Sequence, residues 1–560
     1  MSKKQKLELT WIGKDDEVRL ESRVLIENPE LSYGDTGTEN MIIHGDNLLA
    51  LKALEQDYAG KVKCIYIDPP YNTGNAFEHY DDGVEHSLWL NLMKQRLRIL
   101  KNLLSEDGVI FAQIDESEGA YLKVLMDEVF GRNSYETTFF VQVRYGNKTL
   151  NEDNNYQKLI EQILVYKKPL FKPNKQKIDY PVDKFCWKIT ELTEGKTESI
   201  GGREVIVFKD GEYRIDKVEA SLIALKETWA TGSLVKQGGS AAEFFDLHLS
   251  TRKEQDGLKT LYKVIDMGTK GDGLGYRYIS GPKKASASKG KFYSAIPIKK
   301  LDDIKSGQAK KEIPISNFYD FSGNFGNCRL EGGVSFNGGK KPEKLVSMLI
   351  EIGSNEGDLV FDSFLGSGTT AAIAHKMNRK YIGIELGEQA ITHVVPRLTN
   401  IIKHKDLTGI SEVVSWKGGG GFKFYTLAPS LLRKDKFDNW IIEPSYNADL
   451  LASALAKQEA FTYHPDSELF WKQGYSTEND FIFTTTQFIT VELIDRIHNE
   501  MSEDESLLVC AKTFQDACLS RYDNITLKKI PKVLLGKCEF AKDDYSLNIT
   551  ETEEVEADDE

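Results

Sequence analysis

The segment Ile65-Tyr-Ile-Asp68-Pro69-Pro70-Tyr71-Asn72-Thr73-Gly74 joins an apolar run to a carboxylate, two prolines and an aromatic ring. Successive prolines remove two backbone amides and stiffen the chain. The carbonyls of Asp68 and Pro69 are then left without donors from their own turn, and an ionised Asp68 side chain beside them also only accepts hydrogen bonds. The complement of such a cluster is a group with two N–H bonds, such as the exocyclic amine of a nucleobase. Gripping that amine pulls electron density onto nitrogen as it attacks an electrophilic methyl group. Tyr71 offers a flat face on which a base extruded from a helix can stack. A rigid strand-exit turn with a buried tyrosine would use the same residues, and Asp-Pro-Pro alone does not separate the two. The apolar strand before it, the tyrosine after it and a glycine-rich loop elsewhere favour the chemistry.

That loop lies in Val360-Phe-Asp-Ser-Phe-Leu-Gly-Ser-Gly-Thr-Thr-Ala-Ala372, a strand running into a glycine turn and then a helix. Gly366 and Gly368 let the backbone turn tightly and approach a ligand, which the amide end of the helix faces. A phosphate-binding loop needs lysine after its last glycine, where Thr369 and Thr370 stand. A dinucleotide fingerprint also fits, because Gly366-x-Gly368-x-x-Ala371 is followed by Glu385 at the end of the next strand. There a carboxylate can accept two hydrogen bonds from ribose hydroxyls, whichever cofactor is bound. The loop leaves the cofactor open, and the Asp-Pro-Pro-Tyr segment separates the rivals.

Both motifs need a frame. From about Met41 to Phe130, short β-branched runs alternate with helical periodicity. Met41-Ile-Ile-His44, Val62 to Ile67 and Gly108 to Ile114 are brief, apolar and bounded by Gly or Asp, as buried strands are. Ser87 to Leu104 places Trp89, Leu92, Met93, Leu97, Leu100 and Leu104 on one helical stripe, stopped by Ser105-Glu-Asp-Gly108. Near Phe139 the alternation breaks, and a segment rich in Lys, Gly and Tyr continues to about Pro314, read as an inserted, mostly β domain. The α/β pattern returns from Lys341 to Lys403, with strands at Leu359 to Asp362 and Lys380 to Glu385 and helices from about Gly368 and after Gly387. Neither block has enough strands alone. One doubly wound α/β sheet assembled from both halves around the insertion is the economical expectation. A fourth stretch begins near residue 404 and opens with Trp416-Lys-Gly-Gly-Gly-Gly-Phe422, whose role the sequence does not give.

Length and composition bound these readings. A chain of 560 residues exceeds one ordinary core, and 40% hydrophobic with 10% aromatic residues marks a folded globular protein. No apolar run reaches membrane-spanning length, and Met1 to Lys6 lead into no signal-peptide pattern, so a cytoplasmic location is expected. The six cysteines form no C-x-x-C pair, so neither a disulfide framework nor a zinc site is expected. A net charge of −14 argues against a nucleic-acid partner only if it is uniform, and it is not: Phe139 to Glu312 holds 32 Lys and Arg against 23 Asp and Glu. Part of the acidity is a tail from Asp543 to Glu560 with nine acidic and no basic residues, a composition expected to stay mobile.

Asp68-Pro-Pro-Tyr71 together with Phe364-Leu-Gly-Ser-Gly368 resembles the amino-group DNA methyltransferases of the circularly permuted β class. In that class the catalytic tetrapeptide precedes the target-recognition domain and the cofactor loop follows it, the order seen here. Asp68 to Gly74, His44-Gly-Asp-Asn47, Lys341-Pro342 and Trp416 to Phe422 together resemble more narrowly the modification subunit of type III restriction-modification systems, over roughly residues 40 to 427. The resemblance implies a Rossmann-like, doubly wound, circularly permuted methyltransferase sheet with an inserted mostly β target-recognition domain and a C-terminal α/β extension. Its implied divisions are a catalytic half at 1–138, target recognition at 139–314, a cofactor half at 315–403, a partner or dimer domain at 404–540 and an acidic tail at 541–560. It implies S-adenosylmethionine as cofactor, no metal, and N6 of a flipped adenine in double-stranded DNA as acceptor. A homodimer and a restriction helicase-nuclease subunit are the implied partners. Asp68, Pro69, Pro70 and Tyr71 become the amine-gripping and base-stacking set. Asp362, Phe364, Gly366, Ser367, Gly368, Thr369 and Glu385 become cofactor contacts, with Asp46 near the cofactor adenine and Lys341-Pro342 near its methionine end.

In the insertion, Lys148, Lys167, Lys168, Lys172, Arg252, Lys253, Lys270, Arg277, Lys283, Lys284, Lys289 and Lys291 are candidate phosphate contacts, interleaved with Tyr276, Tyr278 and Tyr293. N4 of cytosine is the nearest rival acceptor, although its enzymes more often carry Ser in place of Asp68. C5 methylation would need a Pro-Cys motif that is absent, and Cys64 reads as core. RNA or protein-glutamine methylation normally comes with Asn at position 68. From a different class, the chain could be a recognition subunit whose main task is to direct a nuclease or helicase, although it carries no such motif of its own.

Overall fold

The strand Val62–Ile67 is buried along almost its whole length because both faces of the sheet around it are covered. Its neighbours are parallel. The computed structural model describes residues 8–15, 19–72, 86–146, 156–230, 240–336, 339–530, 532, 534, 538 and 540–541. These fall into two compact units, one formed by Met1–Asn174 with Ser316–Glu560 and the other by Lys175–Ile315.

In the first unit the strands run in the order Leu25–Glu27, Gly421–Leu427, Met41–His44, Lys380–Glu385, Leu359–Asp362, Val62–Ile67, Leu104–Ile114, Ile160–Lys167, Tyr135–Gln142 and Phe318–Asp320. Those from Gly421–Leu427 to Leu104–Ile114 are all parallel. Val62–Ile67 leads through the helix His86–Leu103 to one side, and Leu359–Asp362 leads through Thr369–Lys376 to the other. The crossovers therefore part between these two adjacent strands, the switch point where an open α/β sheet leaves a crevice.

Side-chain parity assigns the two faces. Ile65, Ile67, Ile110, Ala112 and Ile114 share one core with apolar residues of the helices Asn47–Tyr58, His86–Leu103 and Gly119–Phe130. Cys64 and Phe111 point the other way, toward the helix Glu343–Gly353. A Cβ on Gly353 would come within 2.8 Å of Cys64 Sγ and 2.9 Å of Phe111.

The doubly wound sheet assembled from both halves of the chain is as expected, but its extent is larger. Tyr135–Gln142 and Ile160–Lys167 pair with each other and with Leu104–Ile114, so they belong to the main sheet and the second unit begins at Lys175 rather than near 139. Tyr135–Gln142 is only partly buried and Ile160–Lys167 buries just Ile163 to Tyr166, so in sequence both blend into the insertion. The glycine run also proves structural. Gly418, Gly419 and Gly420 have φ of +85°, +99° and +79° and deliver Gly421–Leu427 into the sheet beside Met41–His44. The break expected near 404 therefore does not separate a domain cleanly. Beyond it, the helices Ala448–Gln458 and Val491–Glu500 accompany a five-stranded sheet, the expected α/β extension. Its strands Asp480–Ile489 and Ser506–Phe514 are parallel. Among the described residues no helix is long and apolar enough to cross a membrane. The acidic tail from Asp543 lies outside the described residues.

The second unit holds an eight-stranded sheet in which each neighbouring pair is antiparallel, with Leu261–Ile265, Tyr276–Ser280 and Gly290–Ser294 near its centre. It is the mostly β insertion that the composition suggested.

Candidate active site

Asp68 leaves the carboxyl end of Val62–Ile67 with the same parity as Cys64 and Tyr66, and so faces the start of the helix Glu343–Gly353. There Lys341 Nζ lies 2.7 Å from Asp68 Oδ2. The Tyr71 hydroxyl lies 2.9 Å from Asp68 Oδ1 and 2.8 Å from Glu161 Oε2, and Lys341 Nζ is 4.9 Å from the centre of the Tyr71 ring. Burial holds the Asp68 carboxyl above the usual carboxylate range; Glu161 adds to that shift and Lys341 opposes it. Burial alone would lower the Lys341 ammonium, but the Asp68 and Glu161 carboxylates outweigh it and hold its pKa up.

The turn is braced from the helix side. Trp89, fully buried, donates from Nε1 to the Pro70 carbonyl at 2.9 Å. Asn72 sits at φ +57°, and its amide donates 2.6 Å to Glu118 Oε1. The left-handed residue ends the rigid turn, and an Asn tolerates it better than most side chains. Thr73 and Gly74 lie outside the described residues. Cys64 is fully buried and its thiol is pushed up to about 12, mainly by that burial, so it is core and not a nucleophile at neutral pH.

Across the switch point, Asp362 ends the adjacent strand. Its Oδ1 accepts from Phe364 N at 2.9 Å and its Oδ2 from Thr370 Oγ1 at 2.6 Å. Burial raises its pKa to about 7, with the Asp68 and Glu385 carboxylates adding to the rise. Glu385 folds back on the glycine loop: Oε2 accepts from Gly366 N at 2.6 Å, and Oε1 from Gly387 N at 3.0 Å and Gln389 Nε2 at 2.8 Å. Gly366 and Gly368 both have positive φ, +54° and +78°, as the turn requires. Ser367 and Thr369 are buried beneath the loop. Arg397 donates 3.1 Å to the Ser367 carbonyl and 2.8 Å to Thr369 Oγ1, which in turn lies 3.3 Å from the Lys341 carbonyl.

The expected site residues thus gather at the carboxyl edge of one sheet. Asp68 and Tyr71 meet Lys341, and Pro342 is the residue that caps the helix behind it. Asp362, Phe364, Gly366, Ser367, Gly368, Thr369 and Glu385 form the neighbouring loop. Asp46 has a local task, capping Asn47–Tyr58 through Leu49 N at 2.9 Å and pairing with buried Arg96 at 3.2 Å. Its neighbour Asn47 reaches the loop, donating 2.7 Å to the Ser363 carbonyl. Sequence reasoning missed Glu161, Gln113 and Trp89, which share no motif with Asp68. It also missed a fully buried ion cluster behind the loop, where Glu343 pairs with Lys376 and Arg397 at 2.9 Å each and Lys376 with Asp406 at 2.6 Å.

Several basic side chains expected to meet phosphate are instead engaged with carboxylates. Arg252 pairs with Glu198 and Asp256, Arg277 with Asp272, Lys291 with Glu227, Lys167 with Glu136 and Lys168 with Glu106. Tyr278 and Tyr293 donate to Glu191 and Glu227, and the Tyr276 ring faces Lys263. Lys148 lies outside the described residues. Lys270, Lys283, Lys284 and Lys289 are exposed and make no ion pair among the described residues. A group the sequence did not single out, Lys184, Lys226 and Lys311, comes from separated segments. Burial and then the charges of Lys311 and Lys184 hold the Lys226 ammonium below its usual range.

Fold and site together define a Rossmann-like, doubly wound α/β domain whose switch point is lined by an Asp-Pro-Pro-Tyr turn on one side and a glycine loop on the other. A model of the N6/N4 DNA methylases matches residues 62–395, and the chain belongs to that family. It is 35% identical over 416 residues to a probable type III restriction-modification enzyme HindVI Mod subunit of Haemophilus influenzae, a match covering 70% of this chain and 54% of that one. The EcoPI Mod subunit of Escherichia phage P1 is 28% identical, covering 68% of this chain and 62% of its own length. The EcoP15I Mod subunit of Escherichia coli is 26% identical, with 80% and 77% covered. The chain spans about half the length of the first of these relatives.

Proposed function

We propose that this chain transfers a methyl group from S-adenosylmethionine to N6 of an adenine flipped out of double-stranded DNA, as the modification and specificity subunit of a type III restriction-modification system. The observation that carries the reading is the pair of acceptors and ring at Asp68 and Tyr71 opening onto the same crevice edge as the glycine loop. The residues fit the cofactor. Among the described residues a Cβ on Gly366 would meet nothing within 4 Å, and Ser363 Oγ is buried without a hydrogen-bond partner. Glu385 and Asp362 add carboxylates suited to hydroxyl and cationic groups. When bound, S-adenosylmethionine supplies a methyl group made electrophilic by its sulfonium.

The chain's own residues do the rest. Tyr71 gives the extruded base a stacking face, and Asp68 with the Pro69 carbonyl accepts the two amine hydrogens. That contact orients the nitrogen lone pair away from the ring and toward the crevice, and holding it there supplies the orientation that a bimolecular encounter lacks. The Asp at position 68, rather than Ser, favours adenine over N4 of cytosine. The unit Lys175–Ile315 is the target reader, with Lys184, Lys226, Lys311 and the exposed Lys270, Lys283, Lys284 and Lys289 on phosphate. The segment beyond the Gly421–Leu427 strand carries contacts to a second copy or to a restriction subunit, in a cytoplasmic complex. A subunit that directs a restriction partner without methylating is the second reading, kept because the relatives are named as Mod subunits of restriction-modification enzymes.

Expression in a host lacking adenine methylation, followed by sequencing that detects modified bases, tests the proposal. N6-methyladenine at one short motif, strongly reduced by Asp68→Ala, is expected. Unmodified host DNA with a folded, cofactor-binding protein would leave only the directing role.

A further inference from the structure

The Tyr71 hydroxyl carries one hydrogen but stands within hydrogen-bond distance of two carboxyl groups, Asp68 Oδ1 at 2.9 Å and Glu161 Oε2 at 2.8 Å. It can donate to one of them only. Both contacts are hydrogen bonds when one carboxyl group holds a proton and donates it to the hydroxyl oxygen. The three groups then form a chain along which a proton can pass by exchanging the roles of donor and acceptor.

The two ends of that chain differ in what stands against them. Lys341 stands against Asp68 Oδ2 at 2.7 Å and opposes a proton resting there. At the other end, Gln113 Nε2 donates to Glu161 Oε2, and Gln113 Oε1 accepts from the Tyr66 hydroxyl at 2.7 Å. Gln113 and Glu161 share a face because Gln113 sits opposite Ile163, two residues along the strand from Glu161. The groups facing Glu161 are thus Tyr66, Asp68 and Tyr71 from the catalytic strand and its turn, Gln113 from the next strand, and Lys341 through its charge. Val141 is its register partner on the remaining side. No ion pair of Glu161 occurs among the described residues.

We propose that Glu161, acting through Tyr71 and Asp68, takes up the proton that the substrate amine must lose. This rests on the amine-transfer reading above. In that reaction the adenine nitrogen forms the N–CH3 bond with its lone pair while the S–CH3 bond breaks and its electron pair stays on sulfur. As positive charge builds on that nitrogen, one N–H bond breaks, its electrons remaining on nitrogen, and the proton joins the Asp68 carboxylate that already accepts it. Asp68 donates to the Tyr71 oxygen as Tyr71 donates to Glu161, so Asp68 and Tyr71 regain their starting states and Glu161 holds the proton until solvent removes it. Glu161 does not touch the base.

The test is the single-turnover rate of methyl transfer to duplex DNA, at saturating S-adenosylmethionine, across pH 6 to 9 for the wild type, Glu161→Gln, Glu161→Asp and Tyr71→Phe. The isosteric Glu161→Gln should be slower by roughly a hundredfold or more at neutral pH, as for a missing acid-base group. It should recover as pH rises and bulk base takes the proton, with cofactor affinity unchanged. Glu161→Asp should restore part of the rate, and adding Glu161→Gln to Tyr71→Phe should change the pH profile no further. A Glu161→Gln enzyme with the wild-type rate and pH profile overturns the relay while leaving amine methylation intact. A fall in rate that is equal at every pH and comes with weakened cofactor affinity overturns it in favour of a packing role. A wild-type protein that labels no base amine removes the amine reading and the relay with it.

Discussion

Asp68→Asn removes one charge from the site and keeps a carbonyl oxygen, whereas Asp68→Ala removes both, and the difference between them measures what the charge contributes. A hydrogen bond to a charged partner contributes about 1.5–3 kcal/mol and to a neutral one about 0.5–1.5 kcal/mol. The asparagine should therefore cost the transition state about 1–1.5 kcal/mol, roughly tenfold in rate, and the alanine about 2–3 kcal/mol, roughly a hundredfold. Both variants also take from the Lys341 ammonium, which is only 9% exposed, its ion-pair partner 2.7 Å away and leave it only the charge of Glu161. An unpartnered buried charge costs stability, about 3–5 kcal/mol where burial is complete. That cost is common to the two, so it cannot produce a graded rate, and Lys341→Met added to either should recover thermal stability without recovering activity. The assay is single-turnover transfer at saturating cofactor and DNA, with unfolding followed in parallel. An asparagine enzyme as fast as the wild type, or as slow as the alanine, would show that the carboxylate charge does not polarise the amine.

The two loop glycines should separate ligand from fold. Gly366→Ala meets no neighbour among the described residues and a left-handed strain of about 1–2 kcal/mol, so it should mainly weaken S-adenosylmethionine binding in a calorimetric titration. Gly368→Ala bears similar strain and also meets Val394 at 3.1 Å, so it should lower the unfolding temperature more. Asp362, raised to about 7, binds its proton more tightly folded than unfolded. The stability this contributes is full below about pH 4 and is lost as pH rises through about 7. Between pH 5 and 8 the Asp362→Asn variant should therefore gain roughly 3 kcal/mol relative to wild type in denaturant titrations, and no gain would contradict the buried carboxyl. Replacing Lys283, Lys284 and Lys289 with Gln should flatten the salt dependence of duplex DNA binding by roughly one unit of log–log slope for each phosphate no longer neutralised. Replacing Arg252 or Arg277, which hold carboxylates, should destabilise the fold and leave that slope unchanged.

The sequence exposed what is local. Buried parallel strands such as Val62–Ile67 are apolar apart from Lys63 near its start, and their ends are marked by Asp68 and by the glycines after Asp362, so sheet core and both loops were legible. The antiparallel additions were not, because Tyr135–Gln142 mixes polar and apolar residues without a clear period and Ile160–Lys167 offers only the short buried run Ile163 to Tyr166. Gly421–Leu427 was hidden behind a glycine run that looked like a boundary. Within the site, Asp68 and Tyr71 announce themselves by type and spacing, but Glu161 becomes visible only once antiparallel pairing carries it to the Tyr71 hydroxyl. The charges of the insertion misled in the same way. Arg252 and Arg277 look like phosphate ligands until the fold supplies Glu198, Asp256 and Asp272, whereas Lys184, Lys226 and Lys311 are far apart in sequence and converge only in the folded unit.

The most direct measurement is transfer of label from tritiated S-adenosylmethionine to mixed-sequence duplex DNA by the purified protein, with digestion to nucleosides and Asp68→Ala as control. Label confined to N6-methyladenine, entering roughly a hundredfold more slowly in the variant, is the predicted result. Label in N4-methylcytosine would move the acceptor and keep the amine chemistry. Label that enters Asp68→Ala reactions at the wild-type rate, or its absence from DNA despite cofactor binding, would contradict the assignment of Asp68-Pro-Pro-Tyr71 as the group that holds the reacting amine.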